Sequence, residues 1–246
     1  MSNDTVLIAG ASSAIGLALL HRLASDSRTT LLAHCNSNRA GVDDLIQSGG
    51  FEHIHPLVAD FSDAAAVRSL LEEVTGKFGT PNKIVYLPAS PLRYERFAKF
   101  DLDAFNRDMH IQVWSAIILL RRLAPAMAKL PRARIVFVLS SVTRGLPPRF
   151  MSMYTIVKHA QLGLMRALAS EYSASGLTVN GIGPGMVDTP FVAGIPPLAK
   201  EAAAAAAPRG RIATPADVIG AIEFMLSEGA DYITGVEVPV SGGVTN

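Results

Sequence analysis

Short runs of β-branched and other apolar residues alternate along this chain with longer stretches whose apolar positions recur at helical spacing. The first run, Thr5–Gly10 (TVLIAG), is apolar at successive positions, as in a parallel strand covered on both faces. Similar runs predict strands at Thr29–His34, Ile54–Ala59, Lys83–Leu87, Arg134–Ser140, Leu177–Ile182 and Val236–Val240. Helical spacing predicts helices at about Ala14–Ser25, Arg39–Ser48, Ala64–Phe78, Asp101–Lys129, Met153–Ser175 and Pro215–Ser227, the last opened by Thr214 as N-cap and Pro215 in the first turn. Strands that alternate with helices in this way predict an α/β fold: one doubly wound domain with a seven-stranded parallel sheet flanked by helices. No internal repeat and no Ser/Gly-rich linker divides the chain, so a single domain is expected over residues 1–246. Glu201–Ala207 (EAAAAAA) reads either as a short mobile helix over a cleft or as a simple surface helix, because alanine favours helix but buries little.

Composition narrows the classes. Of 246 residues, 49% are hydrophobic and 17% charged, which supplies a core and excludes a disordered chain. Lys and Arg number 22 against 21 acidic residues, so the net charge of +1 lacks the basic excess that nucleic-acid binding needs. The single cysteine, Cys35, excludes an intramolecular disulfide framework and points to a reducing cytosol, hence to a cytoplasmic protein. Met1–Thr5 lacks a basic n-region and precedes a short apolar run, so no signal peptide is expected. Runs such as Ala116–Leu120 and Ile135–Leu139 fall short of the roughly 18 apolar residues of a spanning helix, so no membrane partner is expected. The histidines are scattered, and His53 and His55 alternate on a strand without a carboxylate or cysteine partner, so no metal site is expected.

Two segments carry candidate chemistry. The first strand runs through Gly10-Ala11-Ser12-Ser13-Ala14-Ile15-Gly16 into a helix, the geometry in which backbone N–H groups at a helix start receive a pyrophosphate. Gly10 permits the tight turn and Gly16 the close approach of helix to strand, and a purely structural turn would use the same pair. The second segment holds Ser141, Tyr154 and Lys158. Tyr and Lys four apart share a helix face, where an ammonium beside a phenol lowers its pKa from about 10 towards working pH and makes it a usable acid and base. Ser141 follows an apolar strand, at the edge where open α/β sheets bind ligands. Phe150, Met151, Met153 and Phe191 flank this region, as pocket lining or as core.

These pieces fall in an order that resembles the short-chain dehydrogenase/reductase superfamily over essentially the whole chain, and most resembles its 3-oxoacyl-[acyl-carrier-protein] reductases. Gly10-x-x-x-Ala14-x-Gly16 resembles the family's phosphate loop, and Ser141, Tyr154 and Lys158 resemble its catalytic set. Asn180-Gly181-Ile182-Gly183-Pro184-Gly185 resembles its N-x-x-x-P-G segment, and Ile233-Thr234-Gly235 through Gly242-Gly243 its closing strand. The resemblance implies a Rossmann domain in which hydride passes between a nicotinamide and a carbonyl carbon while Tyr154 gives or takes the proton on oxygen. Ser141 then holds that oxygen, and Lys158 depresses the Tyr154 pKa and binds the nicotinamide ribose. The implied dinucleotide contacts are Gly10, Ser12, Ser13, Ile15, Gly16, Asn36, Ser37, Arg39, Asp60, Phe61, Pro88, Ala89, Tyr154, Lys158, Pro184, Gly185, Val187 and Thr189.

Three positions depart from the pattern: Ala14 replaces the middle glycine, Leu87-Pro88-Ala89-Ser90 replaces a common Asn-Asn-Ala-Gly, and Gln112 stands at the catalytic asparagine. That asparagine acts largely through its main-chain carbonyl on a water reaching the lysine, so Gln112 is expected to preserve the proton path. After the second strand, His34-Cys35-Asn36-Ser37-Asn38-Arg39 contains no acid. Asn36, Ser37 and Arg39 therefore favour NADPH over NADH, although Ser13 stands where many NADPH-binding members have a further arginine, and Arg39 reads equally as a solvated helix-start residue.

The leading expectation is an NADPH-dependent reductase of 3-oxoacyl thioesters. Arg121, Arg122, Lys129, Arg132 and Arg134 could face an acidic acyl carrier protein. An alcohol, sugar or steroid dehydrogenase, or a weakly catalytic nucleotide-binding partner subunit, stands as the alternative. A homotetramer is also expected, from a mean hydropathy of +0.30 and from apolar residues on several faces of the helices at Asp101–Lys129 and Met153–Ser175.

Overall fold

Alternation along the strands decides what each face of the sheet buries. In β1 (Thr5–Ala9), Leu7 and Ala9 belong to one core cluster, and Val6 and Ile8 to the other. In β5 (Ala133–Val138), Ile135 and Phe137 join the first cluster while Val136 and Val138 join the second. Both faces are covered, which is why these strands read as continuous apolar runs. The structure is a computed structural model that describes residues 4–244, so the reading of Met1–Asn3 as no signal peptide lies outside the described residues.

The remaining strands are β2 (Thr30–Cys35), β3 (Ile54–Val58), β4 (Lys83–Tyr86), β6 (Leu177–Pro184) and β7 (Glu237–Val240). They form one all-parallel sheet in the order β3-β2-β1-β4-β5-β6-β7, a single Rossmann-like α/β domain. The flanking helices are α1 (Ala14–Leu23), α2 (Ala40–Gly49), α3 (Ala64–Lys77), α4 (Leu102–Met109), α5 (Ser115–Met127), α6 (Ser152–Glu171), α7 (Pro197–Ala206) and α8 (Pro215–Leu226). At α8 the Thr214 and Asp217 side chains cap reciprocally, as the Thr-Pro start suggests. No helix among the described residues is long and apolar enough to cross a membrane.

Two elements differ from expectation. The single helix at Asp101–Lys129 is two helices joined by a π turn at His110–Trp114. There the Ile111 carbonyl accepts from Tyr86 Oη at 3.0 Å and from Ser115 Oγ at 2.6 Å, and these side-chain donors open the backbone ladder. The alanine-rich helix starts at Pro197, four residues before Glu201, because the proline fits a first helical turn.

The strand order reverses between β1 and β4, and ligands of open α/β sheets bind at such a point. The segments after β1, β4, β5 and β6 converge on one large cavity there.

Candidate active site

One end of the cavity is a backbone cradle. Gly10 turns the chain at φ +84°, and a Cβ on Gly16 would stand 2.4 Å from the Gly10 carbonyl oxygen. Ser13 closes the turn: its Oγ donates to Gly10 O at 2.8 Å and accepts from Gly16 N at 3.1 Å, which caps α1. Ser12, Ser13, Ala14 and Ile15 line the cavity at this helix start, where N–H groups and the helix dipole favour an anion. His34, at the end of β2, holds the cradle from behind. Its Nδ1 accepts from Gly10 N at 3.1 Å, its Nε2 bonds Ala59 O at 2.9 Å, and its ring stacks on Phe61 at 3.8 Å. Burial pushes the His34 pKa down to about 4, so the ring is neutral and able to accept.

The cavity measures about 1300 Å³. Sites for one small molecule span roughly 300–1,000 Å³, so this volume accommodates a dinucleotide and a second ligand. Together with the anion-receiving cradle, it fits the dinucleotide that the sequence implies.

The candidate catalytic side chains Ser141, Tyr154 and Lys158 line the same cavity. Tyr154 and Lys158 lie one turn apart on α6, and Lys158 Nζ stands 5.7 Å from the centre of the Tyr154 ring. Lys158 is buried and donates to Val138 O at 3.0 Å and Gln161 Oε1 at 2.9 Å. Desolvation pushes Lys158 down to about 7, with Asp108 acting against it. Desolvation also pushes Tyr154 up to about 12, opposed by a hydrogen bond with Ser140. This corrects the expectation that the ammonium draws the phenol towards working pH. The lysine is turned to its own acceptors, and loss of water around the hydroxyl outweighs the hydrogen bond with Ser140. At neutral pH the phenol is thus a proton donor, beside a lysine close to its own midpoint.

Ser140 is the group the sequence reading missed. It ends the loop from β5, its Oγ accepts from Val142 N at 3.4 Å, and it bonds the Tyr154 hydroxyl. Ser141, the expected serine, lies beside it on the cavity wall and starts the short helical turn Ser141–Thr143. Phe150 takes a left-handed φ of 68°, and its carbonyl accepts from Glu95 N at 2.9 Å, tying two loops together just before α6. An acid-free sequence around this residue offers no signal for that backbone state.

Among the other sequence candidates, Gly10, Ser12, Ser13, Ile15, Asn36, Asp60, Phe61, Pro88, Ala89, Pro184, Gly185, Val187 and Thr189 all line the cavity. Gly16 lies behind it, and the Gln112 side chain is buried away from it. Ser37 and Arg39 are exposed and outside the wall. Arg39 Nε and Nη2 grip Asp43 at 2.5–2.9 Å, so its charge is shared with a carboxylate one turn along α2. Met151 and Phe191 line the cavity, whereas Met153 packs inside. Ala203, Ala206 and Ala207 also line it, which places the alanine-rich helix over the cleft. The proposed carrier contacts need correction: Arg134 is buried and paired with Asp231, and Arg132 pairs with Glu228. Among the described residues no group of three His, Cys, Asp or Glu side chains could hold a metal.

Residues 10–245 match the family model described as enoyl-(acyl carrier protein) reductase. A (3R)-3-hydroxyacyl-CoA dehydrogenase of Canis lupus familiaris is 29% identical over 97% of this chain and 95% of its own. The 3-oxoacyl-[acyl-carrier-protein] reductase MabA of Mycobacterium bovis is 26% identical over 98% and 92%. A short-chain dehydrogenase/reductase of Brucella melitensis, described as glucose/ribitol dehydrogenase, superposes with a TM-score of 0.86 at 26% identity, covering 99% of this chain and 97% of that one.

Proposed function

The chain belongs to the short-chain dehydrogenase/reductase superfamily and is an NAD(P)-dependent oxidoreductase of hydroxyl or carbonyl groups, and we propose that within it the protein is an NADPH-dependent reductase of 3-oxoacyl thioesters. The observation that carries this reading is the protonated Tyr154 hydroxyl, bonded by Ser140, on the wall of the cavity that the cradle and an apolar lining share. When bound, the reduced nicotinamide supplies the hydride. Tyr154 donates its proton to the substrate oxygen, and the Ser140 and Ser141 hydroxyls steady the charge that grows there. Lys158, at the same wall, stands ready to hold ribose hydroxyls and to support the tyrosinate that remains. Leu92, Met151, Phe191, Val192 and Ile195, roofed by Ala203 and Ala206, form a lining suited to an acyl chain.

Thioesters are favoured because both curated relatives named above carry them in their descriptions. Arg209 lines the cavity without an ion pair among the described residues, and is the cation best placed for the anionic carrier of a thioester, coenzyme A or an acyl carrier protein. NADPH is favoured over NADH because the end of β2 presents Asn36 and no carboxylate. Exposed Leu102, Trp114 and Ile156 on the α4, π-turn and α6 surfaces support a homotetramer. The buried free thiol of Cys35 accords with a cytoplasmic location.

The test follows reduced-nicotinamide absorbance with NADPH or NADH against 3-oxoacyl thioesters, simple ketones and sugars. NADPH with an oxoacyl thioester is expected to give the highest kcat/KM. Tight dinucleotide binding without turnover of any oxoacyl or ketone substrate would overturn the reading.

A further inference from the structure

Behind Lys158 lies a hydrogen-bonded chain that the reaction scheme above does not use. The ammonium has three N–H donors, and Val138 O and Gln161 Oε1 take two. The far end of the same carboxamide is committed too, since Gln161 Nε2 donates to the main-chain oxygen of Gln112 at 2.9 Å. Lys158 is 2% exposed, and Gln161 and Gln112 are 1% each, so the chain is sealed from solvent. The amide has one workable orientation, because a flip would set its N–H group against the ammonium and its oxygen against the carbonyl. The π turn at His110–Trp114 carries the receiving carbonyl, in the part of the helix where side chains compete for backbone oxygens.

The sequence expectation puts a water in this interval. A water passes a proton by accepting on one side and donating on the other from the same atom. A carboxamide accepts on oxygen and donates from nitrogen, and would have to become an imidic acid to conduct. The Gln161 link therefore aligns a dipole, with its negative end on the ammonium, and relays no proton.

We propose that Gln161 is a positioning residue of this site: its carboxamide replaces water between Lys158 and the Gln112 carbonyl, and turns the remaining ammonium N–H towards the cavity. The inference rests on the reading of Tyr154 as proton donor. In that reaction the hydride brings an electron pair to the carbonyl carbon, and the C=O π pair moves to oxygen. The oxygen takes the Tyr154 proton, and the tyrosinate regains a proton from water on the cavity side. The groups that face Lys158 are Tyr154 on its own helix and Asp108 on α4, with Ser140 after β5 bonded to Tyr154. Asp108 itself stands near Ser90, Arg93 and Arg107.

The experiment titrates Lys158 in the full chain by NMR of isotope-labelled lysines, the signal assigned with Lys158→Ala, in wild type, Gln161→Leu and Gln161→Glu. Loss of the acceptor in Gln161→Leu lowers the lysine midpoint, and a carboxylate in Gln161→Glu raises it, each by about one pH unit. The alkaline limb of kcat for ketone reduction moves in the same two directions, with KM for the ketone changing less. Gln161→Met, close in volume, serves if the leucine variant does not fold. Midpoints that stay put, or that move the same way in both variants, overturn the role of Gln161 whatever the activity. Opposed midpoints without any ketone turnover support the Gln161 link and overturn the reading of Tyr154 instead.

Discussion

Acidification of the medium tests how the cradle is held, because His34 is buried as a neutral acceptor. Its ordinary pKa of 6.5 falls to about 4 in the fold, with desolvation as the main cause. Between these values the unfolded chain binds a proton that the folded chain does not. Stability from this group is therefore complete above pH 6.5 and is lost as pH falls towards 4. At 1.36 kcal/mol per unit the full loss is about 3 kcal/mol, and about 2 kcal/mol of it falls between pH 7.5 and 5. Dinucleotide affinity of the folded protein should hold through this window and fall only as pH nears 4, where the folded ring itself takes a proton and can no longer accept from Gly10 N. The assay is urea unfolding at steps from pH 7.5 to 5, for wild type and His34→Asn. The variant is expected to be weaker at pH 7.5 but flatter in its pH dependence. His55, whose pKa is also lowered by burial, remains in both proteins and cancels. Equal slopes for the two proteins would refute the assignment to His34.

Gly16→Ala places a methyl against the Gly10 backbone oxygen and should cost about 1–3 kcal/mol of stability, with weakened dinucleotide binding, read by thermal unfolding and fluorescence titration. Asp43 holds the Arg39 guanidinium outside the cavity wall, so contact with the 2′-phosphate requires that it leave that carboxylate; on that condition Arg39→Ala should weaken NADPH by roughly tenfold and leave NADH within about twofold, the scale of one charge-assisted contact. Equal losses in the two titrations would place the 2′-phosphate elsewhere. Gln112→Ala should retain most turnover in a steady-state assay, because the bond to Gln161 uses its main-chain oxygen and its buried Oε1 has no partner among the described residues.

The sheet was legible because burial on both faces writes itself into the strands as unbroken apolar runs, as at Ile135–Leu139, and all seven strands lie within a few residues of their expected bounds. The π turn was not, because helical periodicity runs through His110–Trp114 unchanged. What opens it is Tyr86, a partner 25 residues away in sequence from Ile111. The catalytic pair was legible from the spacing of Tyr154 and Lys158, but the direction of the tyrosine shift was not, since desolvation depends on packing that no local pattern encodes. Two adjacent serines follow β5, and the place after an apolar strand together with the family resemblance favoured Ser141 without revealing that Ser140 bonds the tyrosine. Gln161 carried a usable signal: three residues beyond Lys158 on one helix, it was bound to share that face. Arg134 looked like a surface cation because its burial comes from the sheet and its pairing from Asp231, nearly a hundred residues on.

The central claim is that Tyr154 delivers the proton during carbonyl reduction. The direct measurement is single-turnover oxidation of bound NADPH by a 3-oxoacyl thioester, in wild type and Tyr154→Phe, with the NADPH Kd determined alongside. The rate is expected to fall by roughly 10²–10⁴-fold, while the Kd stays within about twofold because only a hydroxyl is removed. A Tyr154→Phe protein that retains most of the wild-type rate would contradict the account.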